Sequence, residues 1–193
     1  NAFRREHDLE GKFVVMYSGN HSPCHPLDTL LEAARRLAGS SEIAFCFVGG
    51  GTEQAKVKTF AAQHALEAVS SLPYQPLSDL AGSLSAADLH AVVMGDGFSG
   101  IVHPCKVYNI LSVGVPFLYI GPPESHVTDI AAQATNGFAM YSAGHGEVDR
   151  VVAHILNAKD KKSLQNGSCS ELARKFAKDT LLPRMIHLLE SLS

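Results

Sequence analysis

Residues 86–114 read AADLHAVVMGDGFSGIVHPCKVYNILSVG, and this stretch decides the fold. ADLHAVVM (87–94) is an apolar run of the length of a buried strand. It leads into a Gly-rich loop, Gly95–His103. Pro104 then opens a helix, PCKVYNILSVG, that stops at Gly114, the residue type favoured just past a helix C-terminus. A strand, a bare loop and a helix N-terminus in succession present backbone N–H groups to an anion such as a phosphate or diphosphate.

The same alternation extends both ways. Upstream, KFVVMYSG (12–19) reads as a strand ending in Gly19, and PLDTLLEAARRLAG (26–39) as a helix. Leu27, Leu30, Leu31, Ala34 and Leu37 fall on one face of that helix. IAFCFVGGG (43–51) is a second strand, EQAKVKTFAAQHAL (53–66) a second helix, EAVSSLPY (67–74) a weaker strand and PLSDLAGSLSAA (76–87) a third helix. Downstream, PFLYIGP (116–122) is a fifth strand, SHVTDIAAQAT (125–135) a helix and NGFAMYS (136–142) a short sixth strand. EVDRVVAHILNA (147–158) is a helix, LNAKDKKSLQNGS (156–168) a polar connection, and residues 170–192 one or two helices broken near Pro183.

Apolar strands separated by helices of about a dozen residues mean βαβ units and a parallel sheet. The predicted architecture is a three-layer, Rossmann-like α/β domain, doubly wound, with about six parallel strands. Residues 1–160 form that domain, and residues 161–193 are C-terminal helices packing on it. Ligands of such sheets bind at the carboxyl ends of the strands. The loops that matter are therefore Gly19–His25, Gly49–Thr52, Pro73–Pro76, Gly95–His103 and Gly121–Ser125.

Composition narrows the class. The chain has 193 residues, 46% hydrophobic and 18% charged, against roughly 25% charged in an average protein. A large share should be buried. A formal net charge of -3 argues against a nucleic-acid partner. No apolar run reaches the length of a membrane span, and Phe3-Arg4-Arg5-Glu6-His7-Asp8 is too charged for a signal peptide. Cys24, Cys46, Cys105 and Cys169 are scattered without CxxC spacing, which argues against a zinc site and fits a reducing cytoplasm. The abrupt start, without Met, reads as a partial fragment of something longer.

Individual loops are read against plain structural uses. Gly49-Gly50-Gly51 suits close backbone approach to a nucleotide or a turn needing positive φ, with Thr52 as a helix cap. Gly19-Asn20 lets a diphosphate approach the next helix, and His25 is a candidate phosphate donor. His21 and His25 are four apart, but Pro23 and Pro26 argue against a helix carrying a metal pair. Lys106, flanked by Pro104, Cys105, Val107 and Tyr108, is a partly enclosed cation suited to a phosphate or ribose. Ser125 caps a helix, Asp28 and Glu32 complement a helix dipole, and Asp88 sits at a strand edge. No GxSxG elbow and no motif-placed carboxylate pair supports hydrolytic chemistry, so no catalytic residue and no metal ligand is assigned.

The ordered set YSGNHSPCHPLDTLLEAARRL, FCFVGGG, LPYQPLSDL, LSAADLHAVVM, GFSGIVHPCKVYNILSVGVPFLYIGP and NGFAMYSAG resembles the C-terminal halves of family 4-type, metal-independent glycosyltransferases of the GT-B fold. The branch it resembles carries a PxK signature, here Pro104-Cys105-Lys106. That resemblance implies a domain binding a UDP- or GDP-sugar, with no cofactor beyond this donor. Gly19 and Asn20 would lie under the diphosphate or sugar, and Gly49 and Gly50 beside the nucleotide. Tyr74, Gln75 and Leu80 would frame the base. Ser99, Gly100, Ile101 and Val102 would offer main-chain N–H groups. Lys106 stands near the ribose-binding glutamate of many relatives, Ser99 near a second glutamate and Pro23 near a first-loop arginine. An N-terminal acceptor-binding domain, absent from this chain, would complete the enzyme and provide any peripheral membrane association. Half of a sugar-nucleotide epimerase and a degenerate nucleotide-binding scaffold are the alternative readings.

Overall fold

The computed structural model describes residues 1–133, 140–161 and 170–191. Six strands form one parallel sheet: β1 (Phe13–Asn20), β2 (Ile43–Gly50), β3 (Val69–Leu72), β4 (Leu89–Val93), β5 (Phe117–Ile120) and β6 (Met140–Ala143). Their spatial order is β3-β2-β1-β4-β5-β6. The chain runs outward from β1 to β3, then returns to the middle and runs the other way from β4 to β6. The winding therefore reverses between β1 and β4, where a doubly wound sheet opens its crevice.

The helices are α1 (Ala2–Glu6), α2 (Asp28–Arg36), α3 (Gln54–Gln63), α4 (Leu80–Leu84), α5 (Lys106–Val113), α6 (His126–Ala132), α7 (Val148–Asp160), α8 (Ser170–Lys175) and α9 (Lys178–Ser191). Alternation along the central strands builds two cores. Phe13, Val15, Tyr17, Phe45 and Phe47 face one way and pack with Leu30 and Leu31 of α2, Val57 of α3 and Val151 and Ile155 of α7. Val14, Met16, Ala44, Cys46 and Val48 face the other way, with Phe3 and Leu9. Beside them Val92, Met94, Phe117 and Tyr119 pack with Val107 and Ile110 of α5, Val127 of α6 and Leu172 of α8. Helices on both faces explain why β1, β2 and β4 are near-continuous apolar runs. The burial of Cys46 belongs to this pattern.

The ladder at the middle of the sheet is short. It pairs Val15 with Leu89 and Met16 with His90, whereas β1 and β2 stay in register from Phe13–Ile43 to Asn20–Gly50. Asp88 extends the short ladder at its lower end. Its N–H donates to Val14 O at 2.8 Å, and its carboxylate accepts the Val14 N–H at 2.7 Å and Arg4 Nη2 at 2.5 Å. Asp88 thus leads into a central strand through a partly buried ion pair, not a strand edge.

Other expectations are corrected locally. Residues 76–87 form a 3-10 turn (Leu77–Asp79) entered from Pro76, and the short α4, which carries Gly82, a weak helix former, in its interior. Lys106, not Pro104, is the first residue of α5, although the Pro104 carbonyl already accepts the Val107 N–H. Glu53, not Thr52, occupies the cap position of α3, and its N–H reaches back to His21 O. Gly114 ends α5 in the left-handed region as expected, at φ 69°. Ser125 caps α6 as expected, and Thr128 reciprocates by accepting the Ser125 N–H. The terminal helices part between α8 and α9, around Phe176 and Ala177, and Pro183 lies inside α9. Phe176 packs on the Tyr108 ring, so packing on α5 sets that break. α9 is exposed, so water can meet the carbonyl that Pro183 leaves unbonded. The expected residues 136–139 of the sixth strand, most of the polar connection and Cys169 lie outside the described residues. Among the described residues, no helix is long and apolar enough to cross a membrane, and Cys24, Cys46 and Cys105 are free thiols.

Candidate functional site

Above the short β1–β4 ladder the two strands part, and a cleft of about 310 Å³ opens at their carboxyl ends. One side is Ser18, Gly19 and Asn20 at the end of β1, with His25 beyond. The other is His103, Pro104, Cys105 and the first turns of α5, Lys106, Asn109 and Ile110. Tyr74, Leu80 and Leu84 close the far end. The cleft therefore has an apolar end and a polar end. A wider groove of about 660 Å³ runs along α9, but a single helix lines it and it gathers no converging polar groups.

Lys106 is the centre of the polar end. Its Nζ is buried and has no hydrogen-bond partner among the described residues. It lies 3.6 Å from the centroid of the Tyr17 ring. The ring's negative face attracts a cation but supplies no counter-charge. Burial lowers the Lys106 pKa from its ordinary 10.5 to about 7. The Tyr17 hydroxyl donates to Asn20 O at 2.6 Å, which fixes the loop that leaves β1. Gly19 must be bare here: a Cβ would come within 3.1 Å of Lys106 Nζ, at φ 135°. Gly49 is bare for a different reason. Its Cβ would run into the Gly19 carbonyl oxygen, so the closeness of β1 to β2 fixes this glycine without invoking a ligand.

Two histidines flank the lysine. His21 is fully buried, edge-on to Tyr17 at 5.0 Å between ring centres, with the Gly19 and Gly50 backbone beside its ring. His25 is bonded through Nδ1 to Val93 O at 2.8 Å. A carbonyl only accepts, so Nδ1 carries the proton. A second N–H for a phosphate then requires the charged ring. Burial foremost, and Lys106 after it, hold both imidazoles below the usual histidine range.

The structure gathers Gly19, Asn20, His25, Tyr74, Leu80 and Lys106 around one cleft. Gly50 lies just outside, with the Tyr74 hydroxyl donating to its carbonyl at 3.2 Å. Gln75 turns back to Pro73 O and borders a different depression beside α1. Ser99, Gly100 and Ile101 are exposed and Val102 half-buried. Ser99 Oγ donates to Glu124 O. The Ile101 and Val102 N–H groups both donate to Phe98 O, at 3.1 and 2.9 Å, so the loop uses these donors itself. Sequence reading missed Tyr17, His21 and Asn109. Asn109 was reachable: it lies three residues after Lys106 on a helix, hence on the same face. Among the described residues no group of three metal-binding side chains is present.

Fold and site together define the class, a doubly wound α/β unit whose switch-point crevice holds a buried lysine Nζ without a partner among the described residues, beside a helix N-terminus. The chain belongs to the family described as glycosyl transferases group 1, whose model matches residues 1–175. It is 35% identical over 115 residues to a protein of Escherichia coli K12 named as a colanic acid biosynthesis glycosyl transferase, WcaI; the match covers 59% of this chain and 28% of that one. It is 24% identical over 131 residues to a protein of Pseudomonas aeruginosa named as a glycosyltransferase, WbjE, covering 68% and 32%. The chain thus spans about a third of the length of these curated relatives. Among solved structures, Anabaena HepE in complex with UDP and glucose superposes with a TM-score of 0.78 at 17% identity, over 98% of this chain and 51% of that one. The catalytic domain of a Helicobacter pylori cholesterol-alpha-glucosyltransferase superposes at 0.64 and 14% identity, over 86% and 99%. These likenesses establish the GT-B type of Rossmann-like fold.

Proposed function

We propose that this chain binds the nucleoside diphosphate of a UDP- or GDP-sugar and is the donor-binding half of a glycosyltransferase that needs no metal. The observation that carries this reading is Lys106: a buried ammonium without a counter-ion among the described residues, set where a doubly wound sheet binds ligands. A diphosphate supplies that counter-ion. The apolar end, formed by Leu80, Leu84 and Ile110 with Tyr74, suits the flat face of a base. The ribose would then lie near Asn109, which can both donate and accept. As the sugar leaves, charge builds on the diphosphate, and Lys106 stabilises it in place of a metal ion. The acceptor would meet this cleft from the companion N-terminal domain, which would also hold any membrane contact.

The relatives support this reading through their names, and the HepE complex through the UDP it holds. A thermal-shift panel of UDP, GDP, ADP and their sugars tests it. Stabilisation by UDP or GDP over ADP is expected, about 1.4 kcal/mol at ten times the dissociation constant. No response to any of them refutes it and favours a non-catalytic scaffold.

A further inference from the structure

We propose that Lys106 is the residue by which this cleft selects a ligand that brings its own negative charge, and that it takes up a proton as that ligand enters. The proposal rests on the diphosphate reading above and goes beyond it, because it specifies the protonation chemistry of recognition.

The geometry leads there in three steps. First, the residues that line the cleft do not neutralise Lys106. No Asp or Glu lines it among the described residues, and Nζ has no acceptor within hydrogen-bond reach there. Second, none of the titratable groups that face Lys106 among the described residues is a carboxylate. From β1, the Tyr17 hydroxyl is held protonated by burial and donates to Asn20 O. From the loop after β1 come His21 and His25, from β4 the buried His90, and from the loop after β4 His103 and Cys105. Tyr74 closes the far end. His21, His25 and His90 each add repulsion when charged, and burial keeps them neutral. Third, the ammonium is not swung out to solvent. It is packed between the Tyr17 ring and the bare Gly19 backbone.

A buried amine in such a place exchanges its proton near neutral pH, and the value of about 7 agrees. A diphosphate within a few ångströms favours the charged form and moves that value upward. Ligand and proton then bind together above pH 7. Uptake should be about half a proton per ligand at pH 7 and about 0.9 at pH 8, and the dissociation constant should climb toward tenfold per pH unit. A neutral ligand such as uridine gains nothing from the lysine. Selection for the diphosphate is therefore strongest on the acid side of neutrality.

Calorimetry of the whole chain with UDP-glucose tests this, with GDP-mannose as second probe, between pH 6.5 and 8.0 in buffers of different ionisation enthalpy. Each probe's diphosphate keeps one protonation state across that window, so any proton taken up belongs to the protein. The expected result is a heat that depends on the buffer, with uptake rising with pH. Lys106→Arg, charged throughout, should bind without uptake and with a flat pH profile. Lys106→Met should bind at least ten-fold more weakly at pH 6.5, also without uptake. Tight binding with buffer-independent heats in the unaltered chain overturns the proposal while leaving the diphosphate reading intact. Uptake that persists in Lys106→Arg also overturns it, since the proton then belongs elsewhere. Failure of both probes to bind at any pH overturns both.

Discussion

Replacing Lys106 by Met should make the empty protein more stable. An unfolded lysine titrates near 10.5 and the folded one at about 7. Each pH unit of difference is worth about 1.4 kcal/mol, so burying the charged form costs at most about 5 kcal/mol. An effective interior dielectric above that of dry protein reduces this, and about 2–5 kcal/mol is the working range. Below pH 7 both states of the protein are charged at this position and the full cost is present. As pH rises from 7 toward 10.5 the folded state has released its proton and the unfolded state has not. The unfolded state then binds more protons, and stability rises with pH. By pH 8.5 about 2 kcal/mol of the cost should be relieved. Methionine fills the same space over the Tyr17 ring without a charge. At pH 6.5 the variant should melt roughly 4–20 °C higher, at the 2–4 °C per kcal/mol expected for this chain length. The gap should narrow by pH 8.5. The Cys46 thiol, pushed up to about 11 by burial, opposes this trend at higher pH but is common to both proteins. The chain has no Trp, so urea unfolding at pH 6.5, 7.5 and 8.5 is best followed by far-ultraviolet circular dichroism. Equal stabilities at pH 6.5, or a difference that does not change with pH, would refute the assignment of Lys106 as a buried, uncompensated charge.

Two further substitutions test the frame that holds the site. Gly49→Ala should lower stability by about 3 kcal/mol or more, because a Cβ at φ 137° meets the Gly19 carbonyl; a urea midpoint within experimental error of the parent would show that β1 and β2 can part there at little cost. Asp88→Ala should cost about 2–3 kcal/mol, since it leaves the Arg4 guanidinium and the Val14 N–H without the carboxylate; the same titration checks it, and a loss below about 1 kcal/mol would mean that water replaces the carboxylate.

Much of this molecule is written in local patterns. The strand runs, their lengths and the glycines that end them are properties of neighbouring residues, so the parallel sheet and its crevice could be read directly. Gly114 and Ser125 were legible for the same reason. Long-range packing was not. Tyr17 reads as one more core aromatic in KFVVMYSG, and its role under Lys106 arises when residues nearly ninety positions apart meet. His21 carries no local sign of burial, yet the loop folds it against Tyr17. The N–H groups of Ile101 and Val102 looked available because the sequence does not reveal that Phe98 O accepts both. Pro183 looked like a break because the rule against proline within helices is local. The actual break follows the packing of Phe176 against Tyr108.

The short middle ladder also has a kinetic meaning. β1 to β3 and β4 to β6 each join strands through single crossovers, while the β1–β4 pairing closes a loop of about seventy residues. Loop closure of that length carries more chain entropy and holds less ladder in return. The two halves of the sheet should therefore form as separate cooperative units, with the seam joining last in folding and opening first in native-state hydrogen exchange. A ligand seated across the carboxyl ends of β1 and β4 would act as a staple on this short ladder, slowing amide exchange there more than at the sheet's outer ladders.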